Sequence, residues 1–296
     1  MVTRFAPSPT GFLHMGHAFS ARMGFDAAQK AGGTFLVRIE DIDTTRCRPE
    51  YTEAILEDLR FLGFSFPTPV RKQSEHLDDY DRALDRLSLL GVLYPCFCTR
   101  KEIATSQSAP QHDPQPPTDP NGPNHPNGDA PVVYSGRCRG LSADEVNTRL
   151  KRGDSYALRL HTEAAEGVLR DFGLAPLFFS DAYAGTVQVD PARLGDVVLA
   201  RKEVRTSYHL AVVVDDAIQQ VTCVTRGEDL LLSTHVHRVL QALLGFQMPV
   251  YAHHPLLQDA GGQRLAKRRG SLSIRALRQQ GFSARDLWAT LGLPPL

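Results

Sequence analysis

The stretch RFAPSPTGFLHMGH, residues 4 to 17, carries the reading from which the fold follows. MVTRFA reads as a short strand, and Pro7, Pro9 and Gly11 mark the chain's exit from it. From Gly16 to about Ala31 the apolar positions include Ala18, Met23 and Ala27, predicting a helix stopped at AGG. TFLVRIED then reads as a second strand, and helices are predicted over 49–62 and 77–90, ending at Gly63 and Gly91. Strand alternating with helix predicts an α/β fold built on a parallel sheet.

Two histidines, His14 and His17, flank Gly16 at that first strand-to-helix junction. One reading makes them capping or surface histidines. The other makes them donors: backbone N–H groups at a helix start attract phosphate, glycine permits close approach, and imidazoles can donate to a phosphate as charge builds on it.

Composition narrows the class. Hydrophobic residues make up 42% and charged residues 22%, as in ordinary globular proteins. Lys plus Arg equals Asp plus Glu at 33 each, so nucleic-acid binding would need a local basic surface. The N-terminus lacks a secretory pattern and no apolar window of about 18 residues occurs, which predicts a cytoplasmic protein without a membrane partner. Cys47, Cys96, Cys98, Cys138 and Cys223 are too unevenly spread for a secreted disulfide framework.

Between about residues 104 and 131 the composition turns to Pro, Asn, Asp and Gly without apolar periodicity, predicting a flexible insertion. Beyond it, Ser142 and Glu145 have capping-box spacing, and YALRLH and VVLARKE read as strands. YHLAVVVDDAIQQVTCVTRGEDL predicts a buried strand that ends near Asp215 and Asp216, followed by a helix containing His235 and His237. Near the C-terminus GQRLAKRRGS, residues 262 to 271, is a glycine-bounded basic loop in which Lys267, Arg264, Arg268 and Arg269 suit phosphates.

Together, PSPTGFLHMGH and RLAKR resemble the HIGH and KMSKS signatures of class I aminoacyl-tRNA synthetases. RFAPSPTGFLHMGH, RIEDID and YHLAVVVDDAIQQVTCVTRGEDLL resemble the glutamate branch in particular. The basic loop departs from the family pattern, with Arg264 for lysine, Ala266 for serine and Arg268 last, while Lys267 is kept. Only 29 residues follow Lys267 (296 minus 267), below the roughly 50-residue floor for a domain. The expectation is therefore a truncated paralogue without an anticodon-binding domain, similar to the glutamyl-queuosine tRNA(Asp) synthetases.

The resemblance implies a Rossmann-like catalytic domain in two halves, 1–92 and 191–296, around an inserted zinc-binding, acceptor-like subdomain over 93–190. It implies activation of L-glutamate by ATP with Mg2+, then transfer to the queuosine base of tRNA(Asp). Alternatives are a glutamyl-tRNA synthetase fragment charging the tRNA 3′ end and a non-catalytic ATP- or glutamate-binding paralogue. His14, Gly16, His17 and Lys267 would hold ATP and stabilise its charge. Arg4, Phe5, Ala6, Pro7, Ser8, Glu40, Tyr208 and Arg226 would form the glutamate pocket, Arg4 pairing with a substrate carboxylate and Glu40 with the ammonium. Ordinary ion pairs of Arg4 and Arg226 with Glu40 and Glu228 are the competing reading. One structural zinc would sit on Cys96, Cys98, Tyr134 and Cys138, with His112 and His125 as rivals for the fourth position and core thiols as the plain alternative. A monomer is the expectation for the oligomeric state.

Overall fold

The structure is a computed structural model that describes residues 1–99, 102, 134–201, 204–257 and 272–296. Strand β1 (Val2–Phe5) pairs in parallel with β2 (Thr34–Ile39), and β2 in parallel with β3 (Arg71–Lys72). Helix α1 (Met15–Lys30) crosses from β1 to β2. It lies so close to the sheet that a Cβ on Gly24 would come within 2.8 Å of Thr225 Oγ1. Helices α2 (Pro49–Phe61) and α3 (Leu77–Leu89) follow, their ends within a residue of the sequence reading.

Strand β9 (Cys223–Gly227) pairs in parallel with β10 (Val250–His254). The Thr222 N–H donates to the Val2 carbonyl at 2.9 Å and the Val2 N–H to Thr222 Oγ1 at 2.8 Å, so this pair continues the β1–β2–β3 sheet. On the far side β10 takes β6 (Phe178–Asp181) in parallel, and β6 takes β7 (Gly185–Gln188) antiparallel. A separate antiparallel sheet runs β4 (Leu93–Cys96), β5 (Ala157–Leu160), β8 (Val198–Arg201). Helix α4 (Ala143–Arg152) opens on the expected capping box, Ser142 bonding the Glu145 N–H and Glu145 reaching back. Helix α5 (Thr162–Asp171) packs beneath the later helices.

One element differs from its expectation. Residues 208–218 form helix α6 (Tyr208–Ile218), not a buried strand. Leu210 through Asp216 are all buried, so the segment is apolar on nearly every side and shows no helical period to read. Asp215 and Asp216 accordingly sit in the last turn of a helix instead of at a sheet edge. Helix α7 (Leu231–Leu243) matches its expectation, and α6 and α7 pack on α3 and α5 in one core containing Tyr80, Leu210, Val213 and Leu240. A second core joins α1, β1, β2 and α2 to the C-terminal helices α8 (Ile274–Gln279) and α9 (Ala284–Thr290) through Phe25, Phe35, Phe64 and Trp288. Two sequence readings, the insertion over 104–131 and the basic loop with Arg264, Lys267, Arg268 and Arg269, lie outside the described residues.

Candidate active site

Helix α1 begins at a reciprocal histidine cap. The Gly16 N–H donates to His14 Nδ1 at 3.1 Å and the His14 N–H to His17 Nδ1 at 3.2 Å. Each ring thus accepts through Nδ1 and holds its proton on Nε2. The rings stack with centroids 3.8 Å apart, and a Cβ at Gly16 would press on the His14 ring at 3.0 Å. Burial lowers the pKa of both, and His17, with His14 beside it as a second cause, falls to about 4. At neutral pH the pair is uncharged. The capping role is compatible with the donor reading, because the cap fixes the tautomer that leaves Nε2–H as a donor.

A cavity of about 450 Å³ opens beside this cap, lined by Arg4, Phe5, Ala6, Pro7, Ser8, His17, Glu40, Tyr208 and Arg226 among others. Every residue expected in the glutamate pocket therefore lines one cavity. Arg4 and Phe5 come from β1, Glu40 from the end of β2, Tyr208 from the first turn of α6 and Arg226 from β9. A larger neighbouring cavity, about 650 Å³, shares Ser8, Glu40 and Tyr208 and extends towards Arg159, Tyr134 and Arg201.

The two arginines of the smaller cavity are electrostatically unlike. Arg4 Nε donates to both Asp216 oxygens at 3.1 and 3.3 Å, and NH1 to the Thr225 carbonyl. Arg38, fully buried, donates to Asp216 at 2.8 Å and to Glu40 at 3.2 Å. Asp215 receives Arg71 Nε at 2.8 Å, Gln73 at 2.9 Å and the Tyr80 hydroxyl at 2.9 Å. Arg226 is held differently: Nε donates to His253 Nε2 at 3.0 Å, NH1 to the Tyr208 hydroxyl at 3.1 Å and His237 Nδ1 at 3.3 Å, and NH2 to Thr234 Oγ1 at 2.6 Å. It makes no ion pair among the described residues, so neither competing pair, Arg4–Glu40 or Arg226–Glu228, forms among them. A guanidinium 5% exposed and surrounded by neutral acceptors keeps its charge for an incoming carboxylate. Arg4, already paired with Asp216, offers less.

Burial pushes the carboxyl of Glu40, which also lines this cavity, up, against the opposing pull of Arg38 and Arg4. A ligand ammonium beside it would favour the ionised form. Of the other acidic residues in RIEDID, Asp41 accepts from Ser74, and Asp43 closes a turn on Thr45 and Arg46. Asp181, His253, Thr234 and Arg38 were not picked out by sequence reasoning. Asp181 and His253 lie 72 positions apart, and nothing local marks either one.

Away from this cavity, the Sγ atoms of Cys96, Cys98 and Cys138 lie within 4.8 Å of one another. Cys98 Sγ is 3.4 Å from Cys138 Sγ and 3.5 Å from the Tyr134 hydroxyl, which also accepts the Cys138 N–H at 2.8 Å. Four tetrahedral thiolates at zinc distances would stand about 3.8 Å apart, so the three thiols fit such an ion in chemistry and spacing, with the Tyr134 hydroxyl beside them. His112 and His125 lie outside the described residues. Cys47 and Cys223 are free thiols away from this cluster.

The mononucleotide-type sheet, the capped histidine pair at its first helix and the charged cavity beside them define a class I tRNA synthetase catalytic core. The chain belongs to that family: the sequence model described as "tRNA synthetases class I (E and Q), catalytic domain" matches residues 1–293. Over 297 residues it is 43% identical to a glutamyl-Q tRNA(Asp) synthetase of Rhodobacter capsulatus, covering 99% of this chain and 100% of that protein. It is 34% identical to a glutamate–tRNA ligase of Coprothermobacter proteolyticus, covering 98% of this chain and 57% of that protein. Among solved structures, a glutamate tRNA ligase from Elizabethkingia meningosepticum in complex with its amino acid superposes with a TM-score of 0.68 at 28% identity, over 95% of this chain and 53% of that one. The chain spans about half the length of that solved structure.

Proposed function

We propose that this protein activates L-glutamate with ATP and Mg2+ and transfers it to the queuosine base of tRNA(Asp). The observation that carries the reading is that an unquenched guanidinium, Arg226, and a buried carboxyl, Glu40, line one cavity beside the His14–His17 cap. A ligand with a side-chain carboxylate and an ammonium fits that polarity. The Tyr208 hydroxyl, which accepts from Arg226, has its own proton left to donate to the same carboxylate. The queuosine acceptor is supported by a relative of matching length that carries that name.

In the first step a carboxylate oxygen of glutamate attacks the α-phosphorus of ATP in line. A carboxylate–phosphorus bond forms, the bond to the β-phosphate oxygen breaks, and pyrophosphate leaves. No side-chain nucleophile is needed: the Nε2–H groups of His14 and His17 supply neutral donors, and Lys267 supplies charge, as negative charge shifts onto the phosphates. In the second step a ring hydroxyl of queuosine attacks the activated carbonyl and AMP departs. Cys96, Cys98, Cys138 and Tyr134 would hold a structural zinc, whose contribution is to tie β4 to the segment that starts at Tyr134.

The test incubates the protein with ATP, labelled glutamate and tRNA(Asp) with or without queuosine. Label acquired by the queuosine form alone is the expected result. Equal labelling of both forms would point instead to charging of the 3′ end.

A further inference from the structure

Arg226 is aimed by a pair of residues that do not line the cavity. The Asp181 carboxylate, at the end of β6, accepts the Tyr183 and Ala184 N–H groups on Oδ1, both at 2.9 Å. Its Oδ2 takes the His253 N–H at 3.1 Å and lies 2.6 Å from His253 Nδ1. An ionised carboxylate only accepts, so the ring proton must be on Nδ1. His253 Nε2 is then a bare lone pair, and it receives the Arg226 Nε–H at 3.0 Å, with the Thr234 hydroxyl also at 3.0 Å. Asp181 and the His253 side chain are essentially closed to solvent. Burial and the nearby Arg226 charge push the His253 imidazole down to about 4, the first cause being the larger, so the bridge is neutral.

We propose that Asp181 and His253 are a positioning pair for Arg226: the carboxylate fixes the Nδ1–H tautomer, and the free Nε2 holds the guanidinium edge in the orientation that receives the substrate carboxylate. The inference rests on the glutamate reading of the cavity. It explains why an arginine whose charge must stay uncompensated is not anchored by a carboxylate directly. A direct partner would occupy the fork and quench the charge, as Asp216 does for Arg4, whereas an interposed neutral imidazole orients the fork and leaves the charge available. Four of the five Arg226 N–H groups are engaged in this way by His253, Tyr208, His237 and Thr234, leaving one NH2 hydrogen and the Tyr208 hydroxyl proton for a ligand.

Asp181→Asn separates this role from a merely structural one. The amide oxygen keeps the two turn N–H groups, but the amide nitrogen then faces His253, whose backbone N–H loses its acceptor. Nδ1 must become the acceptor, the proton moves to Nε2, and donor meets donor at Arg226. The full-length protein is assayed by glutamate-dependent exchange of pyrophosphate into ATP, with histidine tautomers read by 15N NMR. The expected result is a KM for glutamate about tenfold higher, kcat within about twofold, and a switch of the His253 signal from the Nδ1–H to the Nε2–H form. A second pair of variants does not depend on the folding of the first: His253→Gln, whose amide reaches as far as Nε2, should keep a KM near that of the parent, and His253→Asn, which reaches only to the Nδ1 position, should raise it. An unchanged KM in Asp181→Asn, an unchanged tautomer, or equal KM values for the two His253 variants overturns the proposal. A parent protein with no glutamate-dependent exchange overturns the functional reading instead, and the NMR arm still decides whether Asp181 sets the tautomer.

Discussion

Arg4 on the first strand donates to Asp216 in the last turn of α6 at 3.1 Å, across 212 positions of sequence. Asp216 also holds Arg38, so Arg4 belongs to a buried charge network whose members balance one another. Arg4→Leu is expected to lower unfolding stability by about 3–5 kcal/mol, the range for breaking a buried pair. Arg226→Gln, which removes no ion pair but does remove hydrogen bonds to buried acceptors, should cost less stability than Arg4→Leu and raise the KM for glutamate about a hundredfold. Equal stability losses for the two variants would contradict the asymmetry between the arginines.

His17→Ala should lower the rate of pyrophosphate exchange about 10²- to 10³-fold with little change in glutamate KM, as for loss of one preorganised donor in a water-excluded site. Because His17 is pushed down to about 4, its neutral donor form persists well below pH 6.5. The exchange rate should accordingly show no His17 titration near the ordinary histidine value, which a pH profile at saturating glutamate checks.

Glu40 carries the opposite sign. Its carboxyl is raised by burial, so as pH falls it takes a proton sooner than an exposed glutamate and loses its pull on a ligand ammonium. The KM for glutamate should rise on acidification, and Glu40→Gln should show a high KM that no longer varies with pH.

Asp58 on α2 is a buried carboxyl whose two oxygens have no hydrogen-bond partner, with Arg278 of α8 at 3.8 Å. Burial lifts its pKa to about 6, against the pull of Arg278. Asp58→Leu should stabilise the protein by about 1 kcal/mol at pH 7.5, where the carboxyl is otherwise forced to ionise inside the fold. A folded pKa above the unfolded one means the parent gains stability as pH falls from about 6 towards 3.8, so the advantage of the variant should shrink there. Urea midpoints at both pH values test this.

The cysteine cluster predicts about one zinc per chain by elemental analysis, since four donors close one tetrahedral site. Chelation should lower the thermal midpoint, and Cys98→Ser should abolish both the metal content and the effect of the chelator. A metal-free protein whose midpoint ignores chelator would return the thiols to the core.

How much of this was legible in the sequence differs from element to element. The first helix, the two parallel strands around it and the Ser142 cap could be read because their signals are local: apolar period, breaking residues, a cap at fixed spacing. The pocket residues from Arg4 to Ser8, with Glu40, Tyr208 and Arg226, came through a family resemblance, and the cavity joins all of them. Helix α6 was misread because a segment buried on all sides carries no period.

The order of residues by itself determined the α/β class, the family and the chemical types gathered for the site. Only the tertiary structure decided which charges meet. Asp216 pairs with Arg4 and Arg38, while Asp181 reaches Arg226 through His253, and these partners sit on different strands and helices that come together only when the sheet forms. Burial then sets the protonation of each group, because desolvation acts on a side chain only once its neighbours have replaced water.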